Sequence, residues 1–300
     1  MTDLPYQEHP DWKAILTRLS EIREQGDYSP ANVEFIREHL QSFDERVRGG
    51  AALAAGGCLF EPYILDIIIE MAENDVNLAI RKAAIQSLAA VIYEGVMQGM
   101  EDEAGSTTFM DDAEEWEEMQ TGSLQEDYQR VKNLLLGVLN LEEDIGLQES
   151  ALSALADLGF LPEIREKVAE FFKSGRASSQ LVALHAMGKY PQYWEDELAE
   201  MIRPDTPPAQ LKEAIGACYS SESARLARAI EGVLNHPDPE VLRYAILTLA
   251  NINKSENLMD ILQHFSLHED PLVQEAAREG IEQASKQNFS DYMRDHFGIE

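Results

Sequence analysis

Positive charge is scarce in this sequence. Its 300 residues hold 24 Lys and Arg against 55 Asp and Glu, for a formal net charge of −31. Such a surface repels phosphate, which disfavours direct nucleic-acid binding and docking to an anionic membrane. Only nine of the cations are lysines, which also fits an acidic excess kept for solubility or for adaptation to salt. Cysteine is nearly absent. Cys58 and Cys218 stand far apart in alanine- and glycine-rich stretches, so neither a disulfide framework nor a cysteine metal site is expected. Long apolar runs are missing too. The richest stretch, residues 59–71, is broken by Glu61, Pro62, Asp66 and Glu70, so no membrane span is expected. The opening MTDLPYQEHPDW has neither a basic start nor an apolar stretch. A secretory signal is therefore not expected, and the cytoplasm is the default location. The motifs GxxxxGK[ST], GxGxxG, HExxH and GxSxG do not occur.

What the sequence does have is an internal repeat. Seven helical patterns share an anchor alanine: Ala51, Ala84, Ala151, Ala183, Ala214, Ala245 and Ala277. Four residues later stand Ala55, Leu88, Leu155, Met187, Cys218, Leu249 and Ile281. Successive anchors lie 33, 67, 32, 31, 31 and 32 residues apart. The outlier is about two periods. Packed helices approach to roughly 8–10 Å, and a small side chain permits that approach. The residue at i+4 shares its face and fills the adjoining space. Between these helices lie others with apolar residues at helical spacing. Examples are Tyr63, Ile67 and Met71; Val131, Leu134, Leu135 and Val138; and Ile164, Val168 and Phe171. A two-helix unit of this kind buries its apolar face only by stacking on neighbours. The expected fold class is all-α, a right-handed α-solenoid (superhelix) of about seven two-helix repeats with degenerate terminal caps. Residues 1–43 read as an N-terminal cap or degenerate repeat, 44–285 as the solenoid, and 286–300 as a C-terminal cap.

These residues resemble HEAT-type repeats, in the short bacterial form that is similar to the phycobilin-lyase-like group. The family pattern places an Asp, then Val-Arg, then alanines in the second helix. Asp44, Val47, Arg48 and Ala51 meet it, as do Asp75, Ile80, Arg81 and Ala84. PDPEVLRYA comes close, with its arginine shifted to Arg243. Gln148, Gln180 and Gln274 replace the arginine elsewhere, and Leu211 does so once. The resemblance covers about residues 44–285. It implies an armadillo-like fold, but such repeats serve unrelated functions.

The long spacing marks an acidic insert at residues 94–124. From 94 to 127 there are 12 acidic residues and no Lys or Arg. Connections beyond about 12–15 residues are uncommon in compact domains. Met110, Ala113, Trp116 and Met119 recur every three residues, which predicts one short amphipathic helix. Three readings of the segment stand: Trp116 and Met119 fold back on the solenoid with the acids facing water, the segment is an acidic-aromatic hook for a basic partner, or it is disordered without a role. The next first-type helix is expected to start near Gln125.

Catalytic routes known for helical repeats find little support. A di-iron site resembling that of deoxyhypusine hydroxylase needs repeated His-Glu pairs. Among His9, His39, His185, His236, His264, His268 and His296, only His268 precedes a glutamate. A fold resembling the HEAT-like alkylpurine DNA glycosylases needs a basic face, which the charge opposes. No specific lyase motif appears. Paired acids such as Glu142-Glu143 and Glu269-Asp270 read as turn residues that cap helices.

The expected function is a non-catalytic protein-binding scaffold or adaptor, with no cofactor and no metal. Alternatives are a lyase-like or cofactor-handling protein, and an acidic decoy that occupies a basic, nucleic-acid-binding protein. The resemblance implies that second helices line the concave face. Positions two before, two after and six after each anchor then point outward. Candidate partner-binding residues are Phe109, Asp111, Asp112, Glu114, Glu115, Trp116 and Met119 in the insert. On the second helices they are Ser153, Asp157, His185, Lys189, Lys212, Arg243, Leu247 and Asn251. The expected partner is a protein or peptide, basic in the hook and decoy readings.

Overall fold

A computed structural model describes residues 10–101, 115–253, 255 and 257–297, with side chains except those of 115–123 and 287–297. Among the described residues there are helices and no strands. The chain divides into two units, Met1–Arg165 and Glu166–Glu300.

Unit 1 contains α1 (Trp12–Gln25), α2 (Pro30–Leu40), α3 (Glu45–Ala54), α4 (Ile64–Asn74), α5 (Leu78–Met97), α6 (Glu115–Leu141) and α7 (Ile145–Ala154). The pairs α2–α3, α4–α5 and α6–α7 are hairpins, and α1, α3, α5 and α7 stack in chain order. Residues 30–40, grouped by sequence with the N-terminal cap, thus form the first helix of the first hairpin. α1 lies on α3 as the second helices lie on one another, and the Arg46 guanidinium covers the Trp12 ring at 3.8 Å.

Helix α8 (Pro162–Lys173) crosses the division. Unit 2 continues with α9 (Ala177–Met187), α10 (Glu195–Met201), α11 (Pro208–Ala217), α12 (Ala224–Glu231), α13 (Pro239–Ile252), α14 (Leu258–Phe265) and α15 (Pro271–Phe297). Here α10–α11, α12–α13 and α14–α15 are hairpins, and α9, α11, α13 and α15 stack in order. Each unit is therefore a stack of helix hairpins, the all-α solenoid construction that the repeat predicts.

All seven anchor alanines are fully buried. The i+4 residues from Ala55 to Leu249 are buried as well, whereas Ile281 is partly covered. The turn between the two helices of a hairpin repeats with the same period. Seven residues before the anchor, the side chains of Asp44, Asn77, Asp144, Asp238 and Asp270 each accept from a backbone N–H of the first turn, at 2.9–3.0 Å. Two residues earlier, Ser42, Asp75, Ser174, His236 and His268 accept from the backbone N–H of the capping position at 2.9–3.3 Å. His236 and His268 do so through Nδ1, so both serve the turn.

Three residues before the anchor, a long side chain closes the turn. Arg48, Arg81, Gln148, Gln180 and Gln274 donate to the carbonyls of Ser42, Ala72, Glu142, Phe172 and His268. The arginines also reach the next hairpin. Arg48 grips Asp75 at 2.8 and 3.3 Å, and Arg81 bonds Glu142 at 2.7 Å. Glutamine keeps the bond within the hairpin and makes no ion pair to the next one, although the Gln180 Oε1 accepts from the Gln210 amide of α11 at 2.7 Å.

Four local expectations change. Tyr63 is not on a helix face: it precedes α4 with φ +69° and is 75% exposed, and Ile64, Ile68 and Ala72 make the buried stripe. Helix α6 starts at Glu115 rather than near Gln125, because EWEEMQ is rich in helix formers and free of proline. Helix α5 runs on to Met97, so the connection is shorter than the spacing suggests. The C-terminal segment continues α15 to Phe297 rather than forming a separate cap.

Where α5 outruns its neighbours, Gly95 admits the fully buried Tyr128 ring. A Cβ there would sit 2.2 Å from Tyr128 Cδ2. Beside it, Lys132 and Glu101 form an ion pair that is nearly covered. The Tyr128 hydroxyl meets no partner in normal hydrogen-bond geometry. Burial first, and then the Glu101 charge, push its pKa up.

The inter-hairpin bond predicts an acid-sensitive step. The Arg81 hydrogen bond holds Glu142 below its ordinary value of 4.5. A carboxylate lowered in the folded state stabilises fully above its unfolded value and loses that contribution as pH falls through the folded one. Urea midpoints measured from pH 7 to pH 3 should therefore fall less steeply in Glu142→Gln than in the parent. Parallel curves would remove this bond from the account.

Candidate functional surface

The 21 outward positions, two before, two after and six after the seven anchors, are all partly or fully exposed. Anchor and outward positions separate because the small residue draws each second helix onto its neighbour and turns the opposite side to solvent.

In unit 1 this side carries Leu53 on α3, and Gln86 and Ala90 on α5. Tyr93 and Met97 continue the α5 stripe with 52% and 64% exposure. Ser153 lies partly exposed on α7, and Asp157 partly exposed in the turn that follows.

In unit 2 the surface has more chemistry. His185, Gly188 and Lys189 from α9 and its C-terminal turn face Glu213, Gly216 and Ala217 from α11 across a cleft of about 210 Å³. The His185 Nδ1 and Glu213 Oε1 atoms stand 3.6 Å apart. The helices come so close here that a Cβ on Gly188 would lie 2.9 Å from the Ala217 Cα. A Cβ on Gly216 would lie 3.9 Å from the Tyr244 ring. Next along the stack, the Asn251 amide donates to the Tyr219 carbonyl. Gln283 donates to Asn251 Oδ1, and to Tyr219 Oη at 3.4 Å. Ser220 donates to the Gly188 carbonyl at 3.4 Å. Partners 32 residues apart thus make a polar ladder from the repeat period itself.

Lys212, Arg243 and Leu247 stand on the same side, with Arg243 3.6 Å from Glu240. Tyr219 and Tyr244 are 48% and 38% exposed. Each tyrosine offers an apolar ring and a polar end, the combination enriched at interfaces. The sequence reading passed over both, because neither occupies one of its three columns. For Tyr244 the usable signal was a lone aromatic immediately before an anchor, which only Ala245 has.

Of the candidates in the acidic insert, Phe109, Asp111, Asp112 and Glu114 lie outside the described residues. Glu115, Trp116 and Met119 belong to the first two turns of α6, and their side chains are outside the description. The helix expected over 110–119 is therefore described only from Glu115, as the start of α6.

Both thiols are free and buried. Burial, with the Glu61 charge next, pushes Cys58 up to about 11. Burial, with Glu195 next, pushes Cys218 up to about 12. Neither is a thiolate near neutral pH, which is the state a nucleophile or metal ligand requires. Among the described residues, no three His, Cys, Asp or Glu side chains are grouped to hold a metal ion. No helix among them is long and apolar enough to cross a membrane.

No protein-family model matches this chain, and no curated protein matches it. Solved structures are similar at a distance. The Escherichia coli protein YibA is 13% identical over 94% of this chain and 99% of its own, with a TM-score of 0.45. Two engineered proteins are 16% and 17% identical, with TM-scores of 0.33 and 0.38. The first covers 85% of this chain and 97% of its own, the second 91% and 84%.

The close approach at Gly188 gives a test of this surface. Gly188→Val should force α9 and α11 apart and destabilise the protein by about 1–3 kcal/mol, as overpacking does. Chemical denaturation measures it. An unchanged midpoint would show that the helices do not meet there.

Proposed function

We propose that this chain is a non-catalytic binding scaffold of HEAT-type repeats that holds a segment of another protein against its second helices. The observation that carries this reading is the unit 2 surface. Exposed Tyr219 and Tyr244, the Asn251–Gln283 ladder and the cations Lys189, Lys212 and Arg243 share one side of stacked helices. Rings give contact area at low entropic cost, and amides and cations fix orientation. A protein segment suits this mixture better than nucleic acid, because the chain as a whole is strongly acidic.

The acid-rich stretch 94–127 supplies a second contact in this reading, directed at basic residues of the partner. Its 12 acidic side chains and lack of Lys or Arg support that role. The cytoplasm is the proposed location.

Affinity capture from the native lysate, followed by titration of the captured partner, tests the proposal. Tyr219→Ala and Tyr244→Ala should each weaken binding about 5- to 100-fold, the range of interface anchors, with the helical content retained. Equal affinity for parent and both variants would contradict it.

A further inference from the structure

A different face of unit 1 carries a site that the scaffold reading does not use. On the first-helix side, α4 and α6 border a groove of about 980 Å³. Ile69, Leu134, Val138 and Leu141 supply its apolar lining. Sequence periodicity counts Leu134 and Val138 with the core, but they are only partly covered, and Leu141 is 83% exposed.

The charge around the groove has one sign in excess. Exposed Asp66, Glu70 and Glu73 form a stripe along α4, and Glu143 stands at the far end. Both arginines of the lining are already engaged. Arg81 binds Glu142 and the Ala72 carbonyl, and Arg130 binds Asp66. Glu70, Glu73 and Glu143 make no ion pair with the described residues. An occupant would therefore meet apolar side chains interspersed with Asn74 and Asn133, with uncompensated carboxylates along the α4 side and at one end, and a cationic flank would complement them.

The backbone of the occupant is constrained as well. Both walls are helices whose interior N–H and C=O groups bond within the helix, so they offer no edge to an extended strand. A buried strand would leave its own backbone unpaired, whereas a helix satisfies itself. The α6 wall from Arg130 to Leu141 is about 17 Å long at 1.5 Å per residue, room for a helix of about 12 residues.

We infer that this groove receives an amphipathic helix of a partner protein, with apolar residues at i, i+3, i+4 and i+7 and Lys or Arg along one flank. The probe is a labelled peptide of about 14 residues, built from Leu and Lys in that pattern. Its control is a peptide of the same composition with the periodicity scrambled, and both are titrated by fluorescence anisotropy against the full chain at physiological salt. The patterned peptide should bind at least about tenfold tighter than the scrambled one. Leu141→Lys and Glu73→Lys, both at exposed positions, should each weaken it about tenfold or more. Tyr244→Ala, on the second-helix side, should leave it unchanged, so this inference and the scaffold proposal fail separately. Equal binding of the two peptides would overturn the inference, as would parent-like affinity of both groove variants. A sedimentation-detected dimer abolished by Leu141→Lys would also overturn it, by giving the groove to a second copy of the chain.

Discussion

Everything else in this molecule depends on how closely successive second helices approach one another. At each anchor an alanine is fully buried, and a larger side chain there would hold the neighbouring backbones apart. That approach covers the residue four later and leaves the opposite side of the helix in water. The same contact thus makes the core and exposes the candidate surface. At Gly188 the approach is closer still, and only a hydrogen is tolerated.

The turns supply what the alanines cannot, a fixed angle between the helices of each hairpin. In Asp44, Ser42 and Arg48 a cap seven residues before the anchor, an acceptor nine before it and a long donor three before it tie the turn together, whereas α9 and α11 start without a side-chain cap. Arginine and glutamine both close the turn, yet only arginine goes on to an acid of the next hairpin. At Gln180 a neutral amide bond from Gln210 of the next hairpin stands where Arg48 and Arg81 make ion pairs.

Much of this was legible in the residues. The alanine period fixed the stacking helices, and the outward columns came out exposed because one face of a helix follows from the other. Tyr63 was misread because periodicity does not show that Pro62 and a left-handed residue place the helix start one residue later. Leu134 and Val138 were misread for a related reason: the pattern marks an apolar face but not how completely a neighbour covers it. Tyr219 and Tyr244 were missed because they lie beside the outward columns rather than in them, and how far they are exposed depends on which residues the next hairpin places there. Such detail belongs to packing and leaves little trace in a single sequence.

The central claim is that anchor-side and outward positions of one helix face opposite environments in every repeat. Single cysteines placed in a Cys58→Ala, Cys218→Ala background test it through their rates of labelling by a water-soluble thiol reagent. Cysteine at Gln86, Ser153, His185 or Leu247 should react at nearly the rate of an unfolded control. Cysteine at Leu88, Leu155, Met187 or Leu249 should react at least about a hundredfold more slowly, since labelling there requires local opening. Comparable rates at the two sets would contradict the account.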